Sequence, residues 1–421
     1  MNISISDQHR IGRSPRPEEE LLSQLDAFIT GMRGKEPYVL GFPGNLEFSF
    51  SRLGGLLDIL INNVGDPGSA DKSDINSKAM ERAVVDFMAR LANGNPDRTY
   101  GYVTSGGSEA NQFGLDRGCT SLPDARVYCS QAAHYSIRKN ARLMRKELVV
   151  IGCDAQDRMD VAELARECRR DAGRGAVVVA TIGTTMTGAI DDVDAIVVAA
   201  SVAGPVYVHA DAALSGLIVP FTADSASWGF AHRAVGSIAV SMHKGLGMPV
   251  PCALAMCRSE LVAAEVEGEY VGATDATLGC SRSGLASVLI WFALASKGLK
   301  GLARDARAAL AMAQQTAERL AAAGLHPELH PSSIVVAFDR PAEWICGKYH
   351  LATVGDRAHI VTVSHVSTHI VEELCRDVER TRAIAAAISG RLSAAGHRSH
   401  EAEPSWPTPP TTPVSAAPCP S

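Results

Sequence analysis

No two of the ten cysteines, scattered from Cys119 to Cys419, stand in a C-x-x-C spacing. That argues against a zinc ribbon or a disulfide frame and for reduced thiols. No run of Lys and Arg is dense enough to track a phosphate backbone. With 40 basic and 46 acidic residues the net charge is −6, so the chain has no electrostatic reason to seek nucleic acid or anionic lipid. Residues 1–16 are polar and lack the apolar core of a signal peptide. No apolar stretch reads as long and charge-free enough to span a bilayer. No internal repeat is apparent. The expectation is a cytoplasmic protein with neither a membrane nor a nucleic acid as partner.

What the chain does hold is a large, ordinary globular composition. Its 421 residues, 46% hydrophobic and 20% charged, suffice for a sizeable enzyme domain and a smaller one. A helix is expected from about Glu18. Short apolar, β-rich runs at 127–129, 148–151, 177–182, 206–210, 238–240 and 253–257 alternate with helical stretches such as 162–172 and 193–203. Several runs are apolar throughout, as expected of strands covered on both faces, and the alternation predicts a mostly parallel α/β sheet. Beyond Gly301 the texture changes. Leu310, Ala313, Ala317 and Leu320 share a helical stripe ending near Gly324, followed by strand-like 334–338 and 360–363 and a helix over 370–386. The reading divides the chain into an N-terminal segment (1–75), a large α/β domain (76–299), a smaller α+β domain (300–395) and a tail (396–421). Seven prolines between 404 and 421 make that tail an expected disordered segment.

Four features fall just after a predicted strand or at a helix start, where open α/β sheets place ligands. Ser105-Gly106-Gly107-Ser108 opens a helix after strand-like Tyr102-Val103, and its backbone N–H groups suit a phosphate dianion. Asp211, in His209-Ala210-Asp211, ends an apolar run, where a poorly solvated carboxylate suits a cationic heterocyclic nitrogen. Lys244, in Ser241-Met242-His243-Lys244-Gly245, follows another run; at a sheet mouth its pKa can fall, freeing the amine for imine formation. His134, in Ala133-His134-Tyr135-Ser136, is flat enough to stack on a ring. Singly, each also has a plain reading: a glycine-containing helix cap, a buried salt bridge, a surface lysine, a loop histidine. Together, in this order, they form the set that pyridoxal phosphate needs.

These motifs, with Gly41-Phe42-Pro43-Gly44-Asn45, Ile61-Asn62-Asn63-Val64-Gly65-Asp66-Pro67, Ile182-Gly183-Thr184-Thr185, Ala273-Thr274-Asp275-Ala276-Thr277 and Gly355-Asp356-Arg357-Ala358-His359, give a specific resemblance over about residues 38–390. The sequence resembles the group II pyridoxal-phosphate-dependent amino acid decarboxylases, the group that contains bacterial histidine decarboxylase and plant serine decarboxylase. The resemblance implies the aspartate-aminotransferase-type fold (fold type I), a homodimer, and pyridoxal 5'-phosphate as cofactor. It implies that Lys244 carries the cofactor, Asp211 keeps the ring nitrogen protonated, and His134 stacks on the ring against the substrate. Ser105, Gly106, Gly107, Ser241 and His243 would contact the phosphate, and Thr184 would lie near the ring oxygen. Tyr270 is a candidate to return a proton to Cα, beside its plain reading as a packing residue.

The implied reaction is α-decarboxylation of a small L-amino acid. Two departures move the substrate away from histidine. Val64-Gly65-Asp66-Pro67 and the polar Ser69-Ala70-Asp71-Lys72 replace an aromatic stretch, and Ser283-Gly284-Leu285 follows Arg282 where the family usually shows Asn-Gly-His. An aliphatic side chain, valine- or leucine-like, or serine is expected instead. Histidine decarboxylation, aldehyde synthesis or transamination on the same cofactor, and non-catalytic cofactor binding are the alternatives.

Overall fold

The computed structural model describes residues 3, 6, 9–226, 228–262, 267–270 and 272–396; the proline-rich stretch expected to form a disordered tail lies outside the described residues. The chain opens with α1 (Glu18–Lys35) and β1 (Asn62–Val64). It then alternates α2 (Lys78–Leu91), β2 (Thr99–Thr104), α3 (Gly107–Ser121), β3 (Arg126–Ser130), α4 (Tyr135–Leu143), β4 (Leu148–Ile151), α5 (Val161–Arg169), β5 (Ala176–Thr181), α6 (Val193–Ala200) and β6 (Val206–Asp211). Next come β7 (Val235–Ser241), the single turn α7 (Met242–Gly245), β8 (Ala253–Arg258) and three short strands, β9 (Glu267–Gly268), β10 (Ala273–Thr274) and β11 (Ser281–Ser283). The long α8 (Gly284–Ala322), β12 (Val335–Asp339), α9 (Glu343–Lys348), β13 (Ala352–Val354), β14 (Arg357–Val361) and α10 (Thr368–Gly396) follow.

Seven strands form the central sheet in the order β2-β8-β7-β6-β5-β3-β4. All pairs are parallel except those of β8, which runs antiparallel to both neighbours. The apolar runs of the sequence become these strands because helices cover both faces: every residue of β5 and of β7 is buried. The parallel strands β5, β6 and β7 all end on one edge, and α3, α4 and α7 start there.

A second sheet, β12-β14-β13, is antiparallel. It packs its own apolar cluster, including Phe338, Ile360 and Leu374, against α8 and α10. Gly298, with φ +56°, interrupts α8. Before it, Leu289, Ile290 and Ala293 join the core of the large sheet; beyond it, Ala313 and Leu320 join the core of the second sheet. By length and composition α8 is apolar enough to cross a membrane, which corrects the expectation that no such stretch exists; half of its apolar window is buried inside the protein.

The N-terminal strand β1 pairs with β11, and a buried ion pair fixes that ribbon to the large sheet. Glu81 of α2 accepts from Asn63 Nδ2 at 2.9 Å and from the Val103 N–H at 2.8 Å, and it pairs with Arg282. Arg282 also donates to the Gly65 carbonyl at 2.7 Å. Fully buried charges are tolerable only with partners like these, since removing one partner of such a pair costs about 3–5 kcal/mol.

Candidate active site

Ser105, Gly106, Gly107, His134, Asp211, Ser241, His243 and Lys244 line one cavity of about 330 Å³ at the edge where β5, β6 and β7 end. They reach it from separate elements. Ser105, Gly106 and Gly107 form the turn from β2 into α3, whose first N–H groups have no partner inside the helix. At Gly107 the turn comes close to Ser241: a Cβ there would lie 2.7 Å from Ser241 Oγ, which would have to turn away. Ser105 has a further commitment: its N–H and hydroxyl donate to Glu109 at 2.9 and 2.5 Å.

Asp211 is the last residue of β6, and only 4% of its surface is exposed. Its carboxylate accepts from Asn111 Nδ2 at 2.9 Å and from the Ala213 N–H at 3.2 Å. Asn111 reaches it because α3 lies unusually close to β6. A Cβ on Gly114 would sit 2.2 Å from His209 Nδ1, so glycine alone permits that approach. His209 is fully buried, and desolvation lowers it to about 4, so it is neutral at physiological pH.

Lys244 lies in the turn α7, directly after β7. Burial pushes its ammonium below the usual lysine range, and the Asp211 carboxylate opposes that effect. His243 is held by Cys252, whose carbonyl lies 2.8 Å from Nδ1; burial lowers it, the Cys252 contact opposes, and Lys244 lowers it further. His134 is the N-cap of α4, with Nδ1 2.8 Å from Ser136 Oγ. Its ring packs on Tyr135 at 4.2 Å between centroids. Desolvation lowers its pKa, Asp211 raises it and Lys244 lowers it.

Two residues singled out in the sequence lie elsewhere. Thr184 is beside the cavity rather than on its wall: it is buried, and its Oγ1 meets Thr187 Oγ1 at 2.9 Å and the Ala189 N–H at 3.0 Å. Its neighbours Thr181, Gly183 and Thr185 line the cavity instead. Tyr270 is 84% exposed in the turn after β9 and is not on the cavity wall.

The sequence reading missed Asn111, Thr181, Pro43, Leu214, His359 and Val361, all of which face the cavity. The Thr181 hydroxyl is buried without a hydrogen-bond partner among the described residues. Asn111 carried a signal: it stands four residues after Gly107, on the same helical face. His359 stood at the end of the family-like run Gly355-Asp356-Arg357-Ala358-His359 without a role assigned, and Val361 carried no signal, because only the docking of β14 brings it near β6.

The sequence model of the pyridoxal-dependent decarboxylase conserved domain matches residues 120–334. Serine decarboxylase 2 of Oryza sativa subsp. japonica is 34% identical over 84% of this chain and 78% of its own length. Histidine decarboxylase of Morganella morganii is 34% identical over 90% of this chain and 98% of its own. Among solved structures, L-methionine decarboxylase from Streptomyces sp. 590 superimposes with a TM-score of 0.81 at 20% identity, covering 89% of this chain and 98% of that one.

Proposed function

The chain belongs to the pyridoxal-dependent decarboxylases, with their fold-type-I α/β architecture, and from that premise we propose that it converts a small aliphatic L-amino acid, or serine, into the amine and carbon dioxide. Its cofactor is pyridoxal 5'-phosphate and its class is carboxy-lyase. One observation carries the proposal: a half-buried lysine, Lys244, and a buried carboxylate, Asp211, open onto the same cavity as the N-terminus of α3.

The cavity residues fit the cofactor. The α3 terminus is kept open by Gly107, whose place a Cβ would fill. A hydroxyl without a partner among the described residues, Thr181 Oγ1, lies on the strand position beside Asp211. When bound, the cofactor supplies a conjugated ring that takes up the electron pair left by the departing carboxylate. Lys244 would hold the cofactor at Nζ, with a lowered pKa that keeps the amine available as a nucleophile. Asp211 would keep a proton on the ring nitrogen, and His134 would lie against the ring. The N–H groups that open α3, with Ser241, His243 and a Ser105 released from Glu109, would hold the phosphate. In the net reaction the substrate carboxylate leaves as carbon dioxide and a proton from solvent takes its place on Cα.

Support for an aliphatic side chain comes from part of the wall, where Pro43, Leu214 and Val361 are apolar beside the polar Thr181, Thr185 and His359. Such a wall discriminates by only about 1–3 kcal/mol per methylene, so several aliphatic acids are expected to react. The serine decarboxylase relative supports serine. Histidine is the second reading: the Morganella relative favours it, and the missing aromatic stretch after Pro67 speaks against it. The proposed assembly is a homodimer. Leu21, Leu25, Phe28 and Met32 form an exposed stripe on α1, a helix with no buried residue.

The test is to screen the twenty amino acids for carbon dioxide and amine together. Equal amounts of both, greatest with small aliphatic acids or serine, are expected. Aldehyde with ammonia, or no carbon dioxide from any of them, would overturn the reading.

A further inference from the structure

We infer that Asn111 and Ser136 are positioning residues: the Asn111 amide holds Asp211 in one orientation and, through Ser136, sets His134 to present an Nε2–H rather than a lone pair to the cavity. The inference rests on the roles of Asp211 and His134 proposed above and adds to them the location of a proton.

The hydrogen bonds assign the protons one after another. An ionised carboxylate only accepts, so the nitrogen of the Asn111 amide must face Asp211. That nitrogen has two protons and two acceptors, Asp211 Oδ2 at 2.9 Å and Ser136 Oγ at 3.1 Å. The amide oxygen then faces His209 Nε2 at 3.0 Å, which must carry its proton there. His209 Nδ1 is left to accept from the Ser237 hydroxyl at 2.8 Å. Asn111, Ser136, His209 and Ser237 are all buried, so no water competes for these positions and the amide cannot reverse without leaving buried groups unpaired.

Ser136 passes the constraint on. Its oxygen accepts from Asn111, so its own proton is directed to His134 Nδ1, 2.8 Å away. The backbone N–H of Ser136 approaches the same nitrogen at 3.3 Å, and a backbone donor cannot turn round to become an acceptor. Nδ1 therefore keeps its lone pair, and the single proton of the neutral ring sits on Nε2. Nε2 has no partner among the described residues, and the ring lines the cavity. The charged groups facing the ring are Asp211 at the end of β6 and Lys244 in α7. A substrate carboxylate entering beside His134 thus meets a donor.

The test compares wild type, Asn111→Ala and Ser136→Ala. Pyridoxal phosphate is titrated into each apo-protein by absorbance, and kcat/KM is followed against pH with an amino acid that wild type turns over. Asn111→Ala should bind the cofactor roughly tenfold more weakly or worse, because a charged acceptor loses a buried donor. Ser136→Ala should bind it within about threefold of wild type. Removing the hydroxyl that favours the unprotonated Nδ1 should move the acidic limb of its profile to higher pH, by roughly half a unit to one unit. A merely structural role would lower the melting temperature and leave that limb in place. Ser136→Ala carries the test if Asn111→Ala does not fold. An unchanged limb in Ser136→Ala, or an unchanged cofactor affinity in folded Asn111→Ala, overturns the inference while the enzyme reading stands. A wild type that does not bind pyridoxal phosphate overturns both.

Discussion

A carboxylate sealed in a protein interior needs hydrogen-bond donors, and Asp211 has two, the Asn111 amide and the Ala213 N–H. Asp211 also lines the cavity. Asp211→Asn keeps the shape and removes the charge. Turnover is expected to fall roughly a hundredfold or more while the melting temperature changes little; a loss below about tenfold, measured with cofactor in excess, would contradict the role. Lys244, Asp211 and His134 were legible in the sequence because each is a polar residue at the end of an apolar run or at a helix start. Asn111 left only the fainter signal of standing one helical turn after Gly107, since an asparagine in a helix is usually solvated, and it is β6 and α4 together that give its amide acceptors. Thr184 was legible as part of Ile182-Gly183-Thr184-Thr185, but the positive φ at Gly183 turns the chain so that Thr184 bonds into its own loop and Thr185 faces the cavity.

At the scale of elements, the strands were the most readable. A helix-covered strand such as β5 is apolar from Ala176 to Ala180, and that pattern fits a strand buried on both faces. The antiparallel direction of β8 was not readable, because side-chain alternation is the same in both directions. Nor was the continuity of α8: a domain boundary was expected beside Gly298, yet α8 runs on past the kink there, from the core of the large sheet, which still includes Leu302, to that of the second sheet, which its residues join from Ala306. The helix α1 invites a direct test. Its stripe of Leu21, Leu25, Phe28 and Met32 recurs with helical period, and exposed apolar surface of that kind marks an interface. Replacing Leu25 and Phe28 by Glu should convert a dimer of twice 44.4 kDa into monomer by light scattering. A wild type that is already monomeric, or a double variant that remains dimeric, would contradict the proposed assembly through α1.

Over the whole molecule, the parts of the site come from widely separated stretches of chain: the turn after β2, the cap of α4, the ends of β5 and β6, the turn α7, and β14 of the second sheet. Motif order in the sequence revealed the first of these because one α/β sheet lines up its strand ends. It could not reveal the contribution of β14, which depends on how the second sheet docks, nor the apolar wall that it shares with Pro43 and Leu214. The substrate is therefore the least legible part of the reading, and the cofactor the most. The most direct measurement is to treat the purified holoenzyme with borohydride, digest it, and locate the reduced pyridoxyl group by mass spectrometry. The label is expected on the peptide that contains Lys244. A label on any other lysine, or none at all, would contradict the assignment.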